Sequence, residues 1–419
     1  MKRHLQSVVC DRIERIGTFA AMLAAGALLG SGGSQAMASA AGCGATITTD
    51  TKLTSDLTSC PNNGIVIGAD DITLDLGGHT ISGDGTPVES CPESEWCDVG
   101  IDTAGHSGVT IKGGTVRDFA FGVVVAGGSD DRVTRLTSTA NAIFGLLVID
   151  SAGARVDHNS SASDGFNGIH MDGSHDARID HNVVVGAHGY AIPVRGSSRI
   201  RVERNVLDHN DHGILFEDTD DTAAHANRIS HSGGSSIDMG PANGNRITEN
   251  VLTDDGDGII LGNGSHNEIS GNTVTGTGFF GFPDTGGFGM VIGGDHNIVA
   301  RNTVTGGRGQ AIFVGNPDEP DSQGTSDANV ISHNVANSEL DDGIFVTPGA
   351  TAALLERNTA DGNGDDGIDV RAPGTRVTAN TTNDNRDLGI EAVLGTIDGG
   401  GNRARGNGNA LQCTNVSCS

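Results

Sequence analysis

Bulky aromatic side chains are nearly missing from this 419-residue chain, which holds one Trp, one Tyr and twelve Phe. A thick core built on large rings is excluded, and any interior must be thin and filled by Ile, Val and Leu. Lysine is equally scarce: Lys2, Lys52 and Lys112 are the full set. Chemistry that needs a lysine base has few residues to draw on. The 53 Asp and Glu against 25 Lys and Arg, a formal charge of -28, disfavour nucleic acid and anionic membranes as partners. No Cys-x-x-Cys occurs among the 7 cysteines, which argues against zinc. The N-terminal apolar run from Phe19 to Leu29 is too short for a transmembrane segment, which takes about 20 residues.

What the chain does have is 65 glycines and a beat. Asn159, Asn182, Asn205, Asn227, Asn250, Asn272, Asn302, Asn334, Asn358, Asn380 and Asn402 recur mostly every 22 to 24 residues. A constant period of that size marks stacked repeats. A Gly-Ile-like pair keeps the same time: Gly168-Ile169, Ala191-Ile192, Gly213-Ile214, Ser236-Ile237, Gly258-Ile259, Gly289-Met290, Ala311-Ile312, Gly343-Ile344, Gly367-Ile368 and Gly389-Ile390. Short apolar alternations, such as Ile169 and Met171, then Ile179 and Val184, predict brief strands, three to a turn. The Asn after each second strand is expected at a bend, in the left-handed conformation, with its amide laddered to the Asn above and below. These Asn are structural, not ligands.

Together with the segment from Ile72 to Ile81, the repeat resembles the right-handed parallel β-helix proteins of the pectate-lyase-like superfamily, from about Ile65 to about Asn402. The resemblance implies an all-β fold, a right-handed parallel β-helix (solenoid) of about a dozen rungs with disulfide-stapled caps. It implies little about activity, since relatives include polysaccharide lyases, hydrolases, epimerases and copper-maturation β-helix proteins. The Asp-Pro-His pattern of mannuronan epimerases and the Arg-Ile-Lys pattern of polygalacturonases are both absent here.

Residues 1–40 read as a signal peptide: basic Lys2 and Arg3, the apolar run, then Ala38-Ser39-Ala40, so the protein is expected to be secreted and not lipid-anchored. Its removal deletes four basic and two acidic residues and takes the charge from -28 to -30. The expected organisation is an N-terminal cap at 41–64, the helix at 65–402 and a C-terminal cap at 403–419. Six cysteines remain, for which fifteen pairings exist in principle. Local pairs are expected, Cys43 with Cys60, Cys91 with Cys97 and Cys413 with Cys418, because stacked coils hold distant positions apart. Stapled ends would cover unpaired strand edges.

The residues one and three after each inward anchor are expected to face solvent. They give His170 and Asp172, Pro193 and Arg195, Leu215 and Glu217, Asp238 and Gly240. With turns about 4.8 Å apart, Asp172, Arg195 and Glu217 should form a column, with Tyr190 and His212 along its edge. As a catalytic set, His170, Asp172, Arg195, Glu217 and Asp238 could serve elimination or epimerisation, or Glu217 and Asp238 could act as a hydrolytic acid and base. As a structural set they form a charge ladder on an exposed sheet.

Two insertions, after Asn272 and after Ile312, add loops of about eight or nine residues beside an outward stripe of Ile260, Val291, Phe313 and Phe345. Phe282, Phe288 and Phe313 are the candidate substrate-binding aromatics, alongside Tyr190 and His212. The stripe is expected to serve as a loop-covered surface, a ligand groove or an oligomer contact. Acidic runs at Asp254-Asp255-Gly256-Asp257, Asp341-Asp342 and Asp365-Asp366 read first as turn chemistry; the alternative is a set of donors for Ca²⁺, the one candidate cofactor, and none is required. The expected function is binding, and with it lyase, epimerase or hydrolase processing, of an extracellular polysaccharide. The alternative is a non-catalytic binding or structural module.

Overall fold

The computed structural model describes residues 37–38, 41–86, 96–281, 286–316 and 326–419. The expected signal peptide therefore lies almost wholly outside the described residues, as do Cys91 and Phe282. The described chain is all β, a parallel solenoid of about 15 turns, and none of its segments is a helix able to cross a membrane. Two compact units divide it: Met1–Gly165 with Ile169–Ala177, and Phe166–Gly168 with Arg178–Ser419.

In the first unit, Phe121–Ala126 pairs in parallel with Phe144–Ile149, aligning Val123 with Leu146 and Val125 with Val148 in the interior. Cys43 and Cys60 form a disulfide near its start. Its early turns explain why the turn count exceeds the dozen expected from the Asn beat. At the corresponding corner they use other residues: Arg135 turns at φ 53° and is followed by Leu136, whose N–H donates to Asn159 Oδ1 at 2.9 Å.

In the second unit the anchors align as one column: Ile192, Ile214, Ile237, Ile259, Met290, Ile312, Ile344, Ile368 and Ile390 face each other turn by turn. The second strands stack Ile179, Val202, Ala224, Ile247 and Ile269, and the third strands Leu207, Ile229, Leu252 and Val274. All are buried, so three files of aliphatic side chains fill a thin interior. At the C-terminal end Cys413 bridges Ile390, Cys418 bridges Asn402, and a disulfide joins the two cysteines.

The ladder forms, but the left-handed residue is not the Asn. It is the residue before it: His181, Arg204, Ala226, Glu249, Arg301, His333, Arg357 and Ala379 all have φ between 53° and 57°. The preceding residue makes the bend, which leaves each Asn side chain directed inward. There Asn205, for instance, donates to Asn227 Oδ1 at 3.0 Å and to the Ile179 carbonyl at 3.0 Å. Two further ladders escaped the period argument: Asn245, Asn267, Asn297 and Asn329 at one corner, and Asn363, Asn385 and Asn407 at another. Each also follows a left-handed residue, among them Gly244, His266, His296, Ala328 and Gly362.

Candidate functional site

The outward side of the first-strand sheet in the second unit carries most of the expected residues. Register sets Tyr190 opposite His212 and Arg195 opposite Glu217, so one turn's side chains stand over the next. The Tyr190 and His212 rings stack with centroids 4.6 Å apart. Tyr190 then reaches past His212 to the following turn, and its hydroxyl donates to Asp238 Oδ2 at 2.8 Å. His212 Nδ1 lies 3.6 Å from the same oxygen and accepts the Ser235 N–H at 3.3 Å, which puts the neutral ring's proton on Nε2. Burial and the adjacent Asp238 carboxylate push the Tyr190 phenol upward, so it acts as a hydrogen-bond donor and not as a phenolate base.

Arg195 Nε and Glu217 Oε2 form an ion pair at 3.1 Å, with both side chains about two-fifths exposed (38% and 40%). Exposed pairs of this kind contribute about 0.2 to 1 kcal/mol, so the pair orients its groups more than it stabilises the fold. Glu217, engaged by Arg195, sits two residues beyond Leu215, which is the residue opposite Asp238.

Asp257, two turns beyond His212 in the same column, completes the cluster. Its carboxyl is pushed up by burial, is lowered by the Phe288 N–H at 2.8 Å, and feels the charges of Asp238 and His212. Sequence reasoning passed over it as part of an acidic turn. The signal that could have found it is the position two before the anchor, which holds Tyr190, His212, Ser235 and Asp257 in successive turns.

His170 and Asp172 belong to the first unit. His170 was expected to face solvent but is 4% exposed, its ring 4.6 Å from that of Phe144 in a file that continues to Phe121 and Trp96. Aromatic packing along that file covers the imidazole. Asp172, half-buried, ends the strand Asn167–Asp172.

The apolar stripe is unevenly buried. Ile260 and Phe345 are half-buried, but Val291 and Phe313 are buried. The Phe288 ring packs edge-on to Phe313 at 5.3 Å, and Phe313 stacks on Phe345 at 5.3 Å, so the protein's own residues cover much of the stripe.

Beyond the stripe lies an acidic patch. Ligand oxygens of Asp341, Asp342 and Asp365 lie within 4.8 Å of one another, as do those of Asp365, Asp366 and Asp387, and of Asp366, Asp369 and Glu391. Burial pushes Asp342 up to about 8, Asp366 to about 7 and Asp369 to about 6. Arg371 donates to Asp369 at 2.7 Å and to Glu391 at 2.8 Å, offsetting part of that charge.

Comparisons with known proteins agree with this architecture. Residues 167–319 match the family of the periplasmic copper-binding protein NosD. No curated protein matches the chain. Among solved structures, a DFA-IIIase from Arthrobacter chlorophenolicus A6 in complex with GF2 is 12% identical, with 54% of this chain and 60% of that chain covered and a TM-score of 0.41. The Dettilon tailspike protein is 16% identical, with 74% and 61% covered and a TM-score of 0.48. A tailspike protein mutant of E. coli bacteriophage HK620 in complex with a pentasaccharide is 11% identical, with 88% and 68% covered and a TM-score of 0.50. The chain thus spans less than two thirds of the length of the first two. At 11% identity the likeness to the third is one of fold alone. Residues 44–207 and 283–418, well over half of the sequence, match the family described as the right handed beta helix region, and with the in-register parallel turns this establishes that the chain belongs to the right-handed β-helix family.

Proposed function

We propose that the first-strand face of the second unit binds an extracellular polysaccharide and hydrolyses it, with Asp257 as general acid and Asp238 as general base. The observation that carries this reading is the Tyr190 hydroxyl held 2.8 Å from Asp238 beside a second carboxyl, Asp257, that burial keeps protonated to higher pH. Two carboxyls in different environments on one face are what acid–base cleavage of a glycosidic bond requires. Asp257 gives its proton to the departing glycosidic oxygen. Asp238, oriented by the Tyr190 hydroxyl, takes a proton from the water that attacks the anomeric carbon. Arg195 and Glu217 offer hydrogen bonds to sugar hydroxyls at the rim, and the half-buried Phe345 offers a ring face. The fold alone supports no particular sugar.

An acidic polymer would need cations to meet so acidic a chain. Asp341, Asp342 and Asp365 present hard oxygen donors of the kind Ca²⁺ takes. The test is a panel of polysaccharides, with Ca²⁺ or with a chelator, read for new reducing ends, unsaturated products and epimerised sugars. Asp238→Asn and Asp257→Asn should each lower the rate by at least about a hundredfold at unchanged melting temperature. The covered stripe and the closed Arg195–Glu217 pair favour a second reading, a non-catalytic binding module. Binding without any product would select it, and neither binding nor product with any polymer would overturn both readings.

A further inference from the structure

Histidine recurs at the left-handed corners of this solenoid, and in most places a corner role accounts for it. His158 and His181 each turn the chain with φ near 57° and bond through Nδ1 to the aspartate just before them, Asp157 at 2.9 Å and Asp180 at 2.8 Å. His266 and His296 stack at 5.3 Å as corner residues of successive turns. His, Asn, Asp and Gly all suit that conformation.

One corner differs from the rest. His209 and His231 close the third strands Val206–Asp208 and Arg228–Ser230, each with φ 54°. Register places Asp208 opposite Ser230, so the two imidazoles fall one above the other, centroids 4.5 Å apart and planes 24° from parallel. Both turn Nδ1 to one carboxylate: His209 to Asp208 Oδ2 at 2.9 Å, and His231 to Asp208 Oδ1 at 2.9 Å. The Ser230 hydroxyl donates to the same Oδ1 at 2.8 Å. The three donor atoms lie within 4.8 Å of one another. Around a first-row divalent ion, bonds of about 2.0 to 2.2 Å set such donors roughly 3 to 4 Å apart, so the set closes on an ion with a small contraction.

Accessibility and surroundings fit the same occupant. The His209 and His231 side chains are 57% and 38% exposed, which leaves open coordination positions for water. Phe280, carried by the first insertion, sets its ring edge-on to both imidazoles at 6.0 and 5.4 Å and shields one side. A corner needs none of this, since Gly186, Gly276 and Gly306 make the equivalent bend in other turns.

We propose that Asp208, His209 and His231 form a binding site for a first-row divalent transition ion, a three-ligand site completed by water. Two imidazole nitrogens and one carboxylate oxygen select borderline ions such as Zn²⁺ or Ni²⁺ over Ca²⁺ and Mg²⁺, which take oxygen donors. Each neutral ring moves its single N–H from Nδ1 to Nε2 and offers the freed Nδ1 lone pair, so binding to the neutral rings needs no net proton release. The site is independent of the polysaccharide reading.

The experiment is calorimetric titration of the full chain, freed of metal, with ZnCl₂, NiCl₂ and CaCl₂ separately. One Zn²⁺ per chain with micromolar or tighter affinity is expected, with CaCl₂ giving no competition. His209→Gly and His231→Gly, which keep a residue suited to the bend, should each weaken Zn²⁺ binding at least about tenfold at unchanged melting temperature without metal. Absence of Zn²⁺ binding, binding unchanged in both variants, or displacement of Zn²⁺ by equimolar CaCl₂ would each overturn the assignment.

Discussion

Replacing Asn250 with alanine tests the device that holds the second unit's turns in register. Asn250 is fully buried and makes four side-chain hydrogen bonds. Its Nδ2 donates to the Ala224 carbonyl at 3.0 Å and to Asn272 Oδ1 at 3.0 Å, and its Oδ1 accepts the Asn227 N–H at 2.9 Å and Asn227 Nδ2 at 3.0 Å. The partners do not suffer equally. Asn272 Oδ1 keeps the Asn250 N–H, and Asn227 Nδ2 keeps the Val202 carbonyl. The Asn227 N–H loses the Oδ1 that accepts it and is left in a dry interior. Four bonds at about 1 kcal/mol each, an orphaned amide at about 1 to 3, and partial relief from a water entering the vacated space give a loss of about 3 to 5 kcal/mol. Urea unfolding followed by circular dichroism measures it, with Val183→Ala, at an exposed strand position, as the control expected to change stability by less than about 0.5 kcal/mol. Hydrogen exchange at the Asn227 amide supplies the local readout and should accelerate. A loss below about 1 kcal/mol with unchanged exchange at Asn227 would refute the reasoning, since the ladder would then be ornament on a stack held by aliphatic burial alone.

The remaining stability predictions concern a buried acid and a buried glycine. Glu339 is 2% exposed, accepts the Gly307 N–H at 2.7 Å, and is pushed by burial up to about 7 from an ordinary 4.5. Because the folded state holds the proton more tightly than the unfolded one, the contribution of Glu339 to stability is fully present below about pH 4.5 and is lost as pH rises through about 7. Glu339→Gln should therefore raise stability at pH 8 by on the order of 3 kcal/mol and make no difference at pH 4, measured as paired melting curves. An equal effect at both pH values would contradict it. At Gly258 an added Cβ would meet the Gly289 carbonyl oxygen at 2.1 Å and Val274 Cγ1 at 2.8 Å. Gly258→Ala is expected to cost about 1 to 3 kcal/mol by the same unfolding assay, and a neutral result would mean that the strands separate freely at that step.

Much of the fold was legible because stacking makes a repeat local in sequence. Ile192, Ile214 and Ile237 must occupy the same place in successive turns if their backbones pair in register, so a period read by subtraction becomes a column of contacts. The ladder was legible for the same reason, but its corner was placed one residue late. An amide that must point inward cannot also belong to the residue that makes the bend, a distinction invisible in spacing, since His181 and Asn182 share the beat. The candidate site was legible only in part. Arg195 over Glu217 follows from register, whereas the reach of Tyr190 across an intervening ring to Asp238 depends on side-chain length and stacking. Asp257 stayed hidden because an Asp beside Gly in a turn has an ordinary explanation. His170 was misplaced because alternation predicts the direction of a side chain but not what lies above it.

Separating the bend from the ladder has a consequence for where function can reside. The laddered Asn is fixed by four hydrogen bonds, and the anchor Ile by burial, so neither position can vary without loss of the stack. The left-handed residue before the Asn shares a backbone conformation and no one side chain: across turns it is His181, Arg204, Ala226, Glu249, Gly271 and Arg301. That site tolerates any residue able to bear a positive φ at a cost of about 1 kcal/mol, and it repeats three times per turn on the outer surface. Chemistry can therefore be added at corners and in outward columns without touching the ladder, as His209 and His231 illustrate at one corner and Tyr190, His212 and Asp257 in one column. Exchanging corner residues between turns, for instance His181→Arg with Arg204→His, should leave the melting temperature within the range of ordinary surface substitutions. Exchanging either with its neighbouring Asn should not, because the amide would then face solvent and the ladder would break at that turn.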